Sequence, residues 1–187
     1  MDAVNHKVFR WRSLADRWGR QTECPPALIL AVIEQESGGD PGAVRFEPEY
    51  LARYGDRCRE IAKAAGVAPE AVATSYGLMQ LMMPLAWGYM GPDARKDPVG
   101  ALLAADQNIR FGAAHLGILI RKELAKENTA LHLLLGMPRT LDAAIVRIAA
   151  GRYNGAGSGS AYARNVCALW RRYEEQLKEA EADGRSD

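Results

Sequence analysis

Two glutamates, Glu34 and Glu36, lie in a segment whose other residues are almost all aliphatic. From Ala27 to Ile33 the segment is apolar on every side, which is typical of a central helix. A carboxylate in such a helix is costly unless it is paired, exposed or used in chemistry. Each of the two is therefore a surface group, the partner of a nearby arginine, or a catalytic group.

Position along the helix favours Glu36 as the catalytic group. The run of residues 37–41 (SGGDP) ends the helix, so Glu36 lies in its last turn. Burial and the negative end of the helix dipole both oppose ionisation there, which predicts a raised pKa. Glu36 is accordingly predicted to be a proton donor at neutral pH, a role that contributes about 10²–10⁴ in rate.

Several short motifs accompany Glu36 along the chain, and they occur in a fixed order. They are Glu36-Ser37-Gly38-Gly39-Asp40-Pro41-Gly42-Ala43, Gly77-Leu78-Met79-Gln80, Asn108-Ile109, Gly112 and Tyr153-Asn154-Gly155-Ala156-Gly157. Together they resemble the soluble lytic transglycosylase family of the goose-type lysozyme group. The resemblance spans Ala27 to Val166 and implies a predominantly α-helical, lysozyme-like single domain with a substrate cleft for peptidoglycan glycan strands.

The same resemblance implies a reaction for Glu36, which matches the family's catalytic acid. In the family this carboxyl group protonates the glycosidic oxygen between N-acetylmuramic acid and N-acetylglucosamine. It then takes a proton from the muramoyl 6-hydroxyl, which closes on C1 and leaves a 1,6-anhydro end. This reaction needs one carboxyl group, whereas ordinary glycoside hydrolysis uses two.

Glu47 is the best candidate for a second carboxylate, because it follows the predicted catalytic helix closely. The alternative is that Glu47 pairs with Arg45 or Arg53. A hydrolytic muramidase on the same fold therefore stays a rival interpretation. A noncatalytic cell-wall-binding or virion structural module is a second rival, against which the intact Glu36, Gln80 and Tyr153 argue.

Further residues match family positions that bind or orient the substrate. Gln80 is expected to bind sugar hydroxyl or acetamido groups, and Met79 either lines the wall beside it or fills the core. The resemblance implies that the hydroxyl of Tyr153 orients the catalytic glutamate, with Asn154 beside it. The family often has a serine at the place of Arg45. Two further candidates for substrate contacts are held open, namely Ser75 as a substitute for that serine and Tyr162 as a cleft residue.

Apolar spacing predicts the elements that position these residues. Helices are expected over Lys7 to Gly19, from Pro98 to about Leu124, over Asp142 to Tyr153, and in a last segment that begins near Tyr162. The segment from Ala43 to Ala73 is predicted to be partly helical, with Glu60 to Ala65 as its best helical stretch and Gly66 as the end of that stretch. No strand alternation is evident. The chain is predicted to be one domain with a core over about residues 8–178 and a disordered tail after about residue 180.

The amino-acid composition of the chain limits the kinds of molecule that it is expected to bind. The 24 Lys and Arg residues nearly balance the 23 Asp and Glu residues, so no strong field attracts nucleic acid. The three cysteines predict buried thiols rather than a disulfide framework, and the scattered histidines predict neither a metal site nor a cofactor. No signal peptide or membrane span is evident. A monomer is expected, made in the cytoplasm and released to the cell wall by a phage lysis system, a virion or a specialised secretion apparatus.

Overall fold

The computed structural model describes residues 5–135, 140–182 and 184, and this part of the chain is mainly helical. The helices are α1 (His6–Phe9), α2 (Arg12–Thr22), α3 (Pro26–Ser37), α4 (Pro48–Ala65), α5 (Pro69–Val72), α6 (Met83–Ala86), α7 (Pro98–Leu103), α8 (Ala105–Leu135), α9 (Ala143–Asn154) and α10 (Ala161–Ala182). The strands are β1 (Val44–Phe46), β2 (Thr74–Tyr76) and β3 (Leu81–Met82). The predicted mainly α-helical class is confirmed.

The chain packs as two compact units. One contains Glu36–Gly112, and the other contains the described residues of Met1–Gln35 and Ala113–Asp187. The chain passes between them within α3 and within α8.

In the unit that contains both ends of the chain, α9 packs along α10. The side chain of Asp142 caps α9, because it accepts hydrogen bonds from Ala144 N and Ile145 N at 2.9 and 3.0 Å. Helix α10 continues to Ala182, two residues past the predicted start of the tail, and the tail's residues 183 and 185–187 lie outside the described part.

The central helix forms as the sequence predicts. Residues 27–33 of α3 are all at most 3% exposed, so no side of that stretch faces solvent. The predicted end of α4 is also confirmed, because Gly66 adopts the left-handed conformation (φ 67°) and its N–H bonds to Ala62 O.

Two predicted helices are wrong in extent. The one expected over Lys7 to Gly19 is divided into α1 and α2, because Trp11 leaves the helical region (φ −89°, ψ 4°). The one expected after Pro98 is divided at Ala104, whose backbone is extended (φ −68°, ψ 114°), and its second part continues to Leu135. The side chain of Asn108 donates to Leu102 O at 2.7 Å and so satisfies a carbonyl at this break.

A small antiparallel sheet in the unit Glu36–Gly112 was not predicted. Its order is β1-β2-β3, with Arg45 opposite Ser75 and Ser75 opposite Met82. Strands of two or three residues are too short to show an alternating pattern.

Two further features concern membrane crossing and the cysteines. Within the described residues, no helix combines the length and the apolar run that a membrane crossing requires. The cysteines Cys24, Cys58 and Cys167 are all buried, and none of them forms a disulfide.

Candidate active site

Glu36 lies at the end of α3, half-buried, one residue before the helix ends. Gly38 and Gly39 follow in left-handed conformations (φ 60° and 88°), which turn the chain sharply away from the helix axis. The hydroxyl of Ser37 accepts from Gly39 N at 3.2 Å and donates to Leu78 O at 2.8 Å. The end of the helix that carries Glu36 is thereby tied to the turn that contains Leu78.

That turn, residues 77–80, joins β2 to β3 and presents Gln80. Gln80 has a left-handed backbone (φ 47°), which is uncommon for a residue with a side chain. Its amide nitrogen donates to Ala43 O and to Gly77 O, each at 3.0 Å. Both amide hydrogens are thus used, and Oε1 has no hydrogen bond among the described residues. A ligand therefore meets an acceptor at Gln80, which suits an acetamido N–H or a sugar hydroxyl.

Asn108, from α8, fixes the inner side of this turn. Its side chain is fully buried, donates to Tyr76 O and Leu102 O at 2.9 and 2.7 Å, and accepts from Met79 N at 2.8 Å. All the hydrogen-bonding groups of the amide, except one lone pair, therefore have partners. The sequence indicates Asn108 only as part of a motif, and the structure assigns it the role of holding the turn that carries Gln80.

Met79 is fully buried and lies against α8 at Gly112. A Cβ atom on Gly112 would lie 2.3 Å from Met79 Sδ, so a residue with a side chain does not fit there without a shift. Core filling, one of the two interpretations of Met79 from sequence, describes this position. Contact between Met79 and a sugar stays a prediction.

Glu47 lies at the end of β1 and forms an ion pair with Arg45. Arg45 Nε donates to Glu47 Oε1 at 2.6 Å, and Ser75 Oγ lies 3.3 Å from the same oxygen. Ser75 is directly across the strand pair from Arg45, which takes the place of the family's serine. The pairing with Arg45 was the predicted alternative to a catalytic role. Glu47 Oε2 has no hydrogen bond among the described residues, and its role in catalysis stays a prediction.

Glu34, two residues before Glu36 on α3, has its partners on α10. Its carboxylate accepts hydrogen bonds from the guanidinium of Arg172 and the hydroxyl of Tyr173, both from α10. Burial by itself raises the pKa of Glu34, but the bonds from Arg172 and Tyr173 outweigh burial, so the pKa of Glu34 lies below its ordinary value. Glu34 is held as a structural carboxylate and is not a proton donor at neutral pH.

We expect Glu34→Gln to lower the free energy of unfolding by about 1–3 kcal/mol, because it weakens charge-assisted bonds at a largely buried site. Since the folded-state pKa of Glu34 is lowered, its contribution is present above the unfolded value near 4.5 and is lost as pH falls through the folded value. Urea unfolding at pH 7 and at pH 3 tests this. An equal difference between wild type and variant at both pH values contradicts it.

The remaining predicted site residues lie in the other unit. Tyr153 is half-buried near the end of α9, with its ring centroid 5.7 Å from that of His115, and Asn154 is the exposed last residue of the helix. Burial and, to a smaller extent, Lys122 lower the pKa of His115, a residue that had no predicted role. Tyr162 is half-buried on α10. The substrate contacts of these three predicted residues stay predictions.

The loop after Tyr153 needs small residues for a geometric reason. Gly155 ends α9 in the left-handed conformation (φ 78°). A Cβ atom on Gly151 would lie 2.3 Å from the carbonyl carbon of Gly157, so the loop returns closely over the helix.

Among the described residues, no three His, Cys, Asp or Glu side chains are grouped as metal ligands.

One comparison with known proteins finds a relationship. The family model described as the transglycosylase SLT domain matches residues 13–133, more than half of the chain. The match includes Glu36, the turn at residues 77–80, Asn108 and Gly112, and it ends before Tyr153. No curated protein matches the chain.

Proposed function

The chain belongs to the transglycosylase SLT family, and from that membership we propose that it cleaves the β-1,4 bond between N-acetylmuramic acid and N-acetylglucosamine with formation of a 1,6-anhydro-muramoyl end. Membership indicates a lysozyme-like fold and lytic transglycosylase action on the peptidoglycan of the cell wall. The bond that is cut, the anhydro product and the residues that act are the parts proposed here.

The observation that supports Glu36 as the acid is its position at the end of α3. Glu36 lies half-buried where the helix ends, and the carboxylate two residues before it, Glu34, is held as a structural group by Arg172 and Tyr173. The bond from Ser37 to Leu78 holds that end against the turn of Gln80. A carboxyl group at a fixed position beside a hydrogen-bond acceptor for the substrate is what general acid catalysis of glycan cleavage requires.

The proposed reaction is balanced without water. Glu36 gives its proton to the glycosidic oxygen, the bond between C1 and that oxygen breaks, and the N-acetylglucosamine part leaves with a free 4-hydroxyl. The Glu36 carboxylate then takes the proton of the muramoyl 6-hydroxyl, whose oxygen bonds to C1. Glu36 ends in its starting state. Gln80 Oε1 accepts a hydrogen bond from the substrate.

Product analysis tests this reaction directly. Digestion of isolated sacculi in ¹⁸O-labelled water is expected to yield glycan fragments with anhydro-muramoyl ends, lighter by one water than hydrolysis products and free of ¹⁸O. Mass spectrometry of the fragments measures both properties. Reducing ends that carry ¹⁸O indicate the muramidase instead and contradict the transglycosylase.

The muramidase is kept as the second candidate because of Glu47, a carboxylate with one oxygen held by Arg45 and the other without a partner among the described residues. A hydrolase needs such a group to activate water. Under the transglycosylase reaction, Glu47→Gln retains the anhydro product. Loss of all cleavage by that variant, with folding intact, supports the muramidase.

A further inference from the structure

Helix α4 is kinked, and a groove lies beside the kink. Tyr54 departs from the helical conformation in the middle of α4 (φ −123°, ψ 28°). The groove there has a volume of about 520 Å³, and its lining includes Arg53, Tyr54 and Arg57. Ligand pockets of proteins usually have volumes of about 300–1,000 Å³. The groove is therefore large enough to hold part of a ligand.

A second groove adjoins the first, because Arg57 lines both. It has a volume of about 370 Å³ and lies between α4 and α6. Helix α4 contributes Arg57 and Glu60 to it, and Pro84 and Trp87 line it from α6 and its C-cap. All these residues belong to the unit Glu36–Gly112. The lining residues of the two grooves together form one surface, which we name the α4 surface.

Each groove contains an aromatic ring that other side chains hold in place. The ring centroid of Tyr54 lies 4.7 Å from that of Tyr50 and 5.3 Å from the guanidinium carbon of Arg53, and Tyr54 is still 41% exposed. The guanidinium carbon of Arg95 lies 5.1 Å from the ring centroid of Trp87, and Arg95 Nη2 donates to Trp87 O at 3.0 Å. Because both rings are held before a ligand arrives, covering them costs little side-chain entropy.

The α4 surface also offers hydrogen-bonding groups that the described part of the protein leaves unused. Among the described residues, no hydrogen bond is made by the hydroxyl of Tyr54, the guanidinium of Arg57, the carboxylate of Glu60 or the indole N–H of Trp87. The guanidinium and the indole only donate, the carboxylate only accepts, and the hydroxyl does both. A ligand therefore meets donors and acceptors beside two aromatic rings.

We propose that the α4 surface binds glycan strands of peptidoglycan as a second saccharide site, formed by residues other than those of the candidate active site. This inference rests on the proposed function, which supplies the glycan. A pyranose ring has a face of C–H groups that packs on an aromatic ring, and its hydroxyl and acetamido groups donate and accept hydrogen bonds. Tyr54 and Trp87 match the first property, and Arg57 and Glu60 match the second. Two rings in adjoining grooves fit a chain of sugars.

The charges of the α4 surface favour this glycan over an anionic polymer. Arg59 already forms an ion pair with Asp56. Glu60 lines the second groove together with Arg57 and has no ion pair among the described residues. A phosphate polymer would be repelled by the Glu60 carboxylate, whereas sugar hydroxyls bind to groups of either sign.

The α4 surface is connected to the sheet of the candidate active site. Helix α4 begins two residues after the end of β1, and α6 follows β3 directly. The turn before β3 carries Gln80, and the same unit contains Glu36. A strand held on the α4 surface is thus tethered to the unit that presents both residues. Tethering raises the local concentration of glycan, so it lowers KM for long strands and leaves kcat unchanged.

The kinetic test uses two substrates from which an amidase has removed the peptides, namely long glycan strands and a tetrasaccharide of the same glycan. The double variant Arg57→Ala, Glu60→Ala is expected to raise KM for the long strands about tenfold, the factor that one or two hydrogen bonds contribute. KM for the tetrasaccharide and both kcat values are expected to stay unchanged. Lys63→Ala is the matched control, because Lys63 is an exposed charged residue of α4 outside both grooves. It is expected to change none of these values.

A binding test that does not depend on cleavage is NMR titration of the Glu36→Gln variant with chitotetraose. The indole N–H signal of Trp87, identified by its absence in Trp87→Phe, is expected to move. Addition of the Arg57→Ala and Glu60→Ala changes is expected to raise the chitotetraose concentration that this shift requires. Polyphosphate, the anionic comparison, is expected to leave the signal in place.

The outcomes separate this inference from the proposed function. If wild type cleaves neither substrate, the proposed function fails, and the titration still decides whether the α4 surface binds saccharide. If the double variant has the wild-type KM for long strands and the Trp87 signal does not move, the function stands and the inference is overturned. An equal rise in KM for both substrates makes the grooves part of the catalytic site and overturns a second site. A Trp87 signal that moves with polyphosphate alone also overturns the inference.

Discussion

Replacing Glu36 by glutamine is expected to reduce glycan cleavage by about 10³-fold and to leave stability almost unchanged. Glutamine keeps the size and the hydrogen-bonding capacity of the side chain but has no proton to give to the glycosidic oxygen. Because the reaction proposed here has a single acid that also acts as the base, one substitution removes both proton transfers. The rate of release of soluble fragments from sacculi measures the effect, and circular dichroism during heating measures folding.

Glu34→Gln is the matched control, because it makes the same chemical change two residues away on the same helix. This substitution weakens the bonds of residue 34 to Arg172 and Tyr173 and so lowers stability. At a temperature well below unfolding, the Glu34→Gln variant is therefore expected to keep most of the wild-type rate of glycan cleavage. Undiminished cleavage by Glu36→Gln removes Glu36 from the mechanism. An equal loss in both variants shows that any neutral substitution in this helix disturbs the site, and likewise defeats the assignment.

The sequence predicts α3 and its end because both depend on neighbouring residues. An unbroken apolar run and a following Gly-Gly-Asp-Pro are local signals, and the structure has the helix over Pro26–Ser37. The partners of Glu34 are not local. Arg172 lies 138 residues after Glu34, so no spacing rule predicts that this arginine holds Glu34.

The helix break at Ala104 and the small antiparallel sheet also depend on contacts between residues that are distant in the sequence. The helix that the sequence continues through Ala104 is interrupted there, where Asn108 bonds to Leu102 O and reaches back to the turn at Tyr76 and Met79. The paired residues of β1 and β2 are 28 or more positions apart in the sequence. Both strands are also too short to show an alternating pattern of apolar and polar residues. The order of the motifs identifies the family correctly, whereas the structure gives the physical reasons for the glycines and the asparagine in those motifs.

Gly77 is a position where a single methyl group is expected to lower stability for two separate reasons. Its backbone is left-handed (φ 72°), and a Cβ atom would lie 2.6 Å from both Asn108 Nδ2 and Leu102 O. The left-handed conformation costs a residue with a side chain about 1–2 kcal/mol, and an overpacked core costs about 1–3 kcal/mol. Gly77→Ala is therefore expected to lower the free energy of unfolding by about 3 kcal/mol.

Gly66→Ala isolates the part of this cost that comes from the backbone. Gly66 has nearly the same conformation (φ 67°), but its added Cβ would have no atom within 4 Å apart from those of its chain neighbours. The Gly66→Ala variant is expected to have a free energy of unfolding about 1 kcal/mol below that of the wild type, as measured by urea unfolding. The difference between the two variants then measures the clash of the Gly77→Ala methyl group with Asn108 and Leu102. Because the turn begun by Gly77 carries Gln80 and receives the Ser37 hydroxyl at Leu78, Gly77→Ala is also expected to reduce cleavage while Gly66→Ala does not. Equal losses of stability in the two variants contradict the close approach of Asn108 to this turn, and with it the reason why the motif begins with glycine.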